Sequence, residues 1–109
     1  IAVGDHISMM KYATYSVASP EACASIIWRD AEKASDAAEA MLMDAESILK
    51  LKLIDEIIAE PLGGAHMNTD QAALMLKKSI IENLNNLKIK PISSLLETRY
   101  QRLMSYGHK

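Results

Sequence analysis

The chain has 109 residues, of which half are apolar and 24% are charged, and its formal net charge is -2 at pH 7. This length predicts one small domain, and the slightly acidic charge argues against a protein that mainly coats nucleic acid. The single cysteine, Cys23, excludes an internal disulfide framework. No apolar run approaches the ~20 residues of a membrane-spanning helix, and we expect no secretory leader, so a cytoplasmic address is predicted.

The apolar start at Ile1, which lacks a methionine, is expected to be the tail of a buried element in a longer protein. Strand-forming residues dominate 7–17, where one or two short strands are predicted. The segment just before Ser19 is expected to be a strand that turns sharply and opens directly onto a helix over 20–28. A strand that ends at a helix N-terminus presents unpaired backbone N–H groups, which suit an oxyanion or a phosphate.

Capping residues predict where this helix and the next two begin. Ser19 is expected to be the N-cap of the first, with Pro20 at the first helical position and Glu21 in the first turn. By the same reasoning, Ser35 caps a second helix and Asp44 caps a third. The second is expected to end near Met43 and the third near Leu51, before a short strand over 53–58.

The longest predicted helix runs over 69–87, and Asn68 with Gln71 resembles a capping box at its start. Apolar residues recur along it at helical spacing and are expected to form its buried face. These residues are Leu76, Ile80, Leu84 and Leu87. A terminal helix is predicted over 94–105, with Ser94 as its cap. Short strands alternate with helices, so the sequence predicts an α/β fold that is rich in helix and has few strands.

Several residues that can carry chemistry are interpreted as structural. Cys23 is expected to be a small buried hydrophobe, since no histidine motif would activate it as a nucleophile. Gly63 and Gly64 lack the spacing of a phosphate-binding loop and predict a tight turn. A partner contact by His66, at the edge of that turn, stays open. The histidines show no metal-ligand spacing, so no metal site is expected. They are His6, His66 and His108.

Four co-linear segments closely resemble the C-terminal portion of the bacterial acetyl-coenzyme A carboxylase carboxyltransferase alpha-subunit family. They are YSVASPEACASIIW (15–28), LIDEII (53–58), PLGGAH (61–66) and RYQRLM (99–104). Ala22 stands where that family usually has glycine, and Leu42 stands where it often has glycine. The first change adds a methyl group at a point of close backbone approach.

The resemblance implies the C-terminal part of a crotonase-like β/α spiral (the ClpP/crotonase fold). It implies transfer of a carboxyl group from carboxybiotin to acetyl-coenzyme A, which gives malonyl-coenzyme A, the first committed step of fatty acid biosynthesis. The implied partners are the carboxyltransferase beta subunit, the biotin carboxyl carrier protein and biotin carboxylase, in an alpha2-beta2 assembly. The structural zinc and most of the acyl-coenzyme A site belong to the beta subunit, so biotin is the implied cofactor and no metal is implied here.

The resemblance also implies that no catalytic residue lies within this chain, because the family's oxyanion glycines are expected just upstream of Ile1. It places Ser19, Pro20, Glu21 and Ala22 at the wall of the substrate pocket, with the backbone amides of Glu21 and Ala22 toward the ligand. The Glu21 side chain is either an acid or base at the pocket lip or, as we favour, a helix-dipole carboxylate.

Two further surfaces stay open at this point. The stripe of Arg99, Tyr100 and Arg102 contacts an acidic partner or a coenzyme A phosphate, or else is a solvated helix face over an apolar underside. The cluster 41–43 is either core or an exposed docking patch. Rival functions are another crotonase-fold acyl-coenzyme A enzyme, such as a propionyl-coenzyme A carboxyltransferase or a hydratase, and a docking module without chemistry. We expect the chain by itself to bind no substrate.

Overall fold

A computed structural model describes residues 2–107; Ile1, His108 and Lys109 lie outside the described residues, so the expectations about Ile1 and His108 stay predictions. The helices and strands alternate along the chain, which confirms the α/β class. In order they are β1 (Ser8–Met10), α1 (Pro20–Trp28), a 3-10 turn (Ala31–Lys33), α2 (Ala34–Met41), α3 (Ala45–Lys50), β2 (Glu56–Ile58), a second 3-10 turn (Ala65–Met67), α4 (Thr69–Lys88) and α5 (Ile92–Ser105).

The two strands are parallel neighbours in one small sheet. Ser8 pairs with Glu56, and the register continues to the pair formed by Met10 and Ile58. Parallel strands need a long crossover, and here α1, α2 and α3 make it. A small apolar core lies where α3 meets the sheet. Its buried members are Met9, Ala45, Ile48 and Ile54.

The prediction that a strand leads directly into α1 is wrong. β1 ends at Met10, and in the described residues no strand occupies the segment between it and α1. Thr14 forms only an isolated bridge with Asp44, and the Tyr15 N–H donates to the Met43 carbonyl over 3.0 Å. Val17 is fully exposed. Strand propensity reflects packing on a paired, half-buried surface. Among the residues that the structure describes, no strand lies beside this segment.

Three of the predicted caps are confirmed. Ser19 Oγ accepts from the Ala22 N–H over 3.1 Å, and Asp44 Oδ2 accepts from the Ser47 N–H over 3.0 Å. At the start of α4, Asn68 Oδ1 accepts from the Gln71 N–H over 3.1 Å. The Gln71 side chain returns to the Asn68 side-chain amide rather than to its backbone, so the capping box is a side-chain variant.

Two predicted caps are wrong, because the helices begin earlier than expected. Ser35 lies inside α2, which follows a 3-10 turn capped by Asp30 Oδ1 through the Glu32 N–H. Ser94 lies inside the first turn of α5, which begins at Ile92 directly after the extended Pro91. A proline at that position fixes φ for entry into the helix and needs no N–H of its own. The terminal helix therefore starts two residues before the predicted 94–105.

The predicted buried face of α4 is also wrong. Leu76, Ile80 and Leu84 are 37%, 54% and 49% exposed and Leu87 is half-buried, whereas Ala72 and Ser79 are buried. Polar and small residues turn inward because the Glu56 carboxylate on β2 offers strong acceptors to this face of the helix.

Helix α5 also turns polar side chains inward and leaves apolar side chains exposed. Its arginines point toward the strands, while Ile92, Leu96 and Tyr100 are exposed.

The radius of gyration of 16.7 Å exceeds the ~13 Å of a compact 100-residue domain, so the segment is extended. Large apolar surfaces on α4 and α5 therefore stay uncovered here, which is typical of surfaces that pack against further protein.

Candidate functional site

The Ser19 corner is a capped helix start with a single free amide in its first turn. Pro20 has no N–H, and the Ala22 N–H donates to Ser19 Oγ. The Cys23 N–H donates to the Ser19 carbonyl over 2.9 Å, which is the first intrahelical bond. Of the two amides expected to face a ligand, only that of Glu21 is left without a partner inside the helix or its cap. The substrate-binding role of residues 19–22 stays a prediction.

The two positions where the resemblance implies glycine, Ala22 and Leu42, differ in their surroundings. Ala22 lies in the first turn of α1 with an exposed side chain, so its methyl group meets no obstruction. Leu42 follows α2 in the left-handed region, at φ 50° and ψ 55°. Glycine reaches that conformation without steric cost, whereas leucine is strained there. The cluster 41–43 was expected to be either core or an exposed patch. Met41 and Met43 are half-buried and Leu42 is exposed, so the cluster as a whole is neither.

The predicted tight loop at Gly63 and Gly64 is confirmed. These glycines have φ values of 87° and 112°, and the Gly64 N–H donates to the Pro61 carbonyl over 2.9 Å. Glu60 ties this loop to the end of β1. Its Oε1 accepts from the Ala65 N–H over 3.0 Å, and its Oε2 accepts from the Tyr12 N–H over 2.6 Å.

A cavity of about 580 Å³ lies beside this loop. It is reached from the carboxyl ends of both parallel strands, which is where open α/β sheets bind their ligands, and its volume is in the range of small-molecule sites. Its lining consists of Tyr12, Glu60, Gly63, Gly64, Ala65 and His66. We take this cavity as the candidate ligand site.

The sequence pointed to only part of this cavity. The Gly63-Gly64 turn and His66 were singled out, but Tyr12 and Glu60 were missed. Glu60 lies two residues after a strand and just before a glycine turn. A carboxylate in that position is the signal that would have found it. The residues of the Ser19 corner are not among the lining residues, so the structure does not bring the two predicted regions together.

Glu56 is the centre of a polar cluster on the inner side of α4. Its Oε2 accepts from Ser8 Oγ over 2.9 Å, from Ser79 Oγ over 2.8 Å and from Asn83 Nδ2 over 2.8 Å. His6 Nε2 lies 3.2 Å from the same oxygen. Partial burial raises the pKa of Glu56, but the hydrogen bonds from these four side chains outweigh it and lower the pKa to about 2.

Two ion pairs attach α5 to the segments that precede the strands. Arg99 donates from Nε and Nη2 to both oxygens of Asp5, over 2.9 and 2.8 Å, and this bond lowers the pKa of Asp5. Arg102 Nη1 donates to Asp55 Oδ2 over 2.7 Å. Burial raises the pKa of Asp55, but this arginine and the Ile7 N–H lower it further than burial raises it. The interpretation of this stripe as a solvated helix face is therefore wrong for Arg102, whose side chain is 15% exposed, whereas the Arg99 side chain and Tyr100 are 39% and 57% exposed.

The residues from 2 to 107 include no group of three or more His, Cys, Asp or Glu side chains arranged to hold a metal ion. In the same part of the chain, no helix combines the length and apolar character needed to cross a membrane.

A family model described as acetyl co-enzyme A carboxylase carboxyltransferase-like matches residues 1–107. The chain belongs to this family. Curated relatives named acetyl-coenzyme A carboxylase carboxyl transferase subunit alpha are similar across nearly the whole chain. The relatives from Hydrogenovibrio crunogenus and Vibrio vulnificus are each 56% identical over 108 residues, which is 99% of this chain and 34% of the relative. That from Coxiella burnetii is 57% identical over 107 residues, or 98% of this chain and 34% of the relative.

These matches confirm the family that the four sequence segments indicated. The chain spans about a third of the length of the relatives it matches. That it corresponds to their C-terminal portion stays a prediction.

Proposed function

We propose that this chain is part of the carboxyltransferase component of acetyl-coenzyme A carboxylase. In this function a carboxyl group passes from carboxybiotin to acetyl-coenzyme A and gives malonyl-coenzyme A. The observation that carries the proposal is the 56% identity, over 99% of the chain, to relatives named for this carboxyl transferase subunit. The matched region includes both the glycine loop and the Ser19 corner, since it covers 99% of the chain.

The proposed fold is the C-terminal part of a crotonase-like β/α spiral. Two observations support it: the short parallel strands joined by helices, and the uncovered apolar faces of α4 and α5. A spiral of this kind buries such faces against its other turns, so the segment needs further protein to complete its core.

The cavity at the glycine loop fits a group with the size and polarity of the biotin ring system. Its volume of about 580 Å³ holds a small bicyclic molecule. The Tyr12 hydroxyl and the His66 ring are donors for a carbonyl oxygen, and Glu60 is an acceptor for an N–H group. Carboxybiotin, when bound, supplies the carboxyl group. The chain's own residues then position that group, while the oxyanion donors are proposed to come from residues before Ile1.

The proposal includes the partners that the family resemblance implies. They are the carboxyltransferase beta subunit with its zinc, the biotin carboxyl carrier protein and biotin carboxylase, in an alpha2-beta2 assembly in the cytoplasm. The uncovered faces of α4 and α5 provide surface for such an assembly.

The test uses the full-length product of the gene that encodes this chain, purified with its beta subunit. We expect the complex to decarboxylate malonyl-coenzyme A when free biotin is supplied as acceptor, and to do so at least tenfold faster than methylmalonyl-coenzyme A. A preference for methylmalonyl-coenzyme A would favour a propionyl-coenzyme A carboxyltransferase. Hydration of an enoyl-coenzyme A without any dependence on biotin would favour a hydratase.

A docking module without chemistry is the second candidate, and the exposed apolar faces of α4 and α5 favour it for residues 1–109 alone. We expect these residues, mixed with the beta subunit, to give no turnover of malonyl-coenzyme A. Turnover at the rate of the full-length complex would contradict this interpretation. It would also contradict the proposal that the oxyanion donors come from residues before Ile1.

A further inference from the structure

A second cavity, of about 430 Å³, lies between α5 and the turn that follows α3. It is lined by three basic side chains from two separate parts of the chain: Lys52, Arg99 and Arg102. Asp5 and Asp55 also line it, so the basic groups outnumber the acidic groups by one. This cavity is separate from the one at the glycine loop, since the two share no lining residue.

The carboxylates orient the two guanidinium groups without using all of their donors. A guanidinium has five N–H donors. Arg99 uses two of them on Asp5. Arg102 uses one on Asp55 and one on the Tyr106 hydroxyl. Within residues 2–107, three N–H groups of each arginine therefore have no hydrogen-bond partner. The aspartates fix the orientation of each guanidinium plane, so a bound anion would not have to order it.

Lys52 supplies the charge that the aspartates do not balance. Among the described residues, no carboxylate lies within 4.0 Å of its ammonium group. Its backbone has φ 61°, in the left-handed region, directly after the turn that ends α3. Thr98 adds a hydroxyl to the lining, one helical turn before Arg102.

We propose that this cavity binds the phosphate group of a phosphorylated ligand. Oriented guanidinium groups pair with phosphate oxygens through parallel N–H bonds, and a lysine adds a mobile point charge. The inference deepens the proposed function, because acetyl-coenzyme A carries its phosphates at the end remote from the reactive thioester. Free phosphate or pyrophosphate shares the same chemistry.

The variant that tests the site is Lys52→Glu, since Lys52 makes no ion pair with any other residue that the structure describes. Its matched control is Lys50→Glu, at the last residue of α3, which makes the same charge change two residues earlier and outside the cavity. Binding of coenzyme A, pantetheine and pyrophosphate to the full-length complex is measured by titration calorimetry. We expect Lys52→Glu to weaken coenzyme A and pyrophosphate roughly three- to tenfold. Pantetheine, which has no phosphate, is expected to bind equally to all three proteins.

Each outcome decides the proposal. A loss for pyrophosphate without a loss for coenzyme A supports the site and identifies free phosphate as its source. Equal affinities in Lys52→Glu and the unaltered complex, or an equal loss in Lys50→Glu, overturn it. Malonyl-coenzyme A decarboxylation by the unaltered complex is measured separately. If that activity is present while Lys52→Glu has no effect on binding, the phosphate site fails and the proposed function stands.

Discussion

Replacement of Gly64 by alanine is expected to destabilise the full-length protein by about 1–3 kcal/mol. Gly64 is buried and has φ 112° and ψ 169°, a conformation almost confined to glycine. A β-carbon at this position would lie 3.0 Å from Cε1 and 3.1 Å from Nδ1 of His66. The loss is measured as the change in free energy of unfolding in urea.

Gly4→Ala is the matched control, because Gly4 does not have a positive φ and its added β-carbon would lie 3.6 Å from the nearest atom. We expect it to change the free energy of unfolding by less than about 0.5 kcal/mol. The double variant Gly64→Ala/His66→Ala removes the ring contact and leaves the backbone strain. Equal stability of Gly64→Ala and Gly4→Ala would contradict the loop conformation described here.

Replacement of Glu56 by glutamine is expected to cost roughly 1–3 kcal/mol at pH 7. Glutamine keeps the size of the side chain, but it loses the charge that strengthens the bonds from Ser8, Ser79 and Asn83. Since these bonds attach α4 to the sheet, the amide hydrogens of α4 are expected to exchange faster. Hydrogen–deuterium exchange of residues 69–88 measures this effect, with Glu82→Gln, an exposed glutamate on α4, as the control.

The effect of Glu56→Gln also depends on pH. The pKa of Glu56 is about 2 in the folded protein and 4.5 in its ordinary state. The unfolded chain therefore takes up a proton before the folded one, and the contribution of Glu56 is present above about pH 4.5 and is lost as the pH falls toward 2. The difference between the unaltered protein and Glu56→Gln should shrink over this range. A difference that is constant from pH 7 to pH 3 would contradict the role of the carboxylate charge.

Local signals in the sequence were sufficient for most helix boundaries. The caps Ser19, Asp44 and Asn68 were predicted because a side-chain oxygen three residues before a free N–H acts within one turn. α1 was predicted over the residues that it occupies, and α4 extends one residue beyond the predicted 69–87. Such interactions need no knowledge of the rest of the fold.

Long-range packing could not be predicted from the same signals. The face that α4 turns inward is set by Glu56, which lies 23 residues before Ser79 in the chain. The orientation of α5 is set by bonds from Arg99 and Arg102 to aspartates far away in sequence. Hydrophobic periodicity indicated the apolar side of each helix correctly, but not that this side would be left uncovered within the segment.

The candidate cavity was predicted in part for the same reason. The glycine turn is visible in the sequence because two adjacent glycines after a proline favour a turn. The contribution of Tyr12 depends on the parallel pairing of β1 with β2, which brings together residues 48 apart at Tyr12 and Glu60. No local pattern around Tyr12 contains that information.

The most direct test of the central claim is the forward reaction of the complex between the full-length gene product and its beta subunit. Carboxybiotin labelled in its carboxyl group is supplied with acetyl-coenzyme A, and the label in malonyl-coenzyme A is counted. We predict labelled malonyl-coenzyme A only when both subunits are present. Label that stays on biotin with both subunits present, or equal transfer by the beta subunit alone, would contradict the assignment of this chain to the carboxyltransferase.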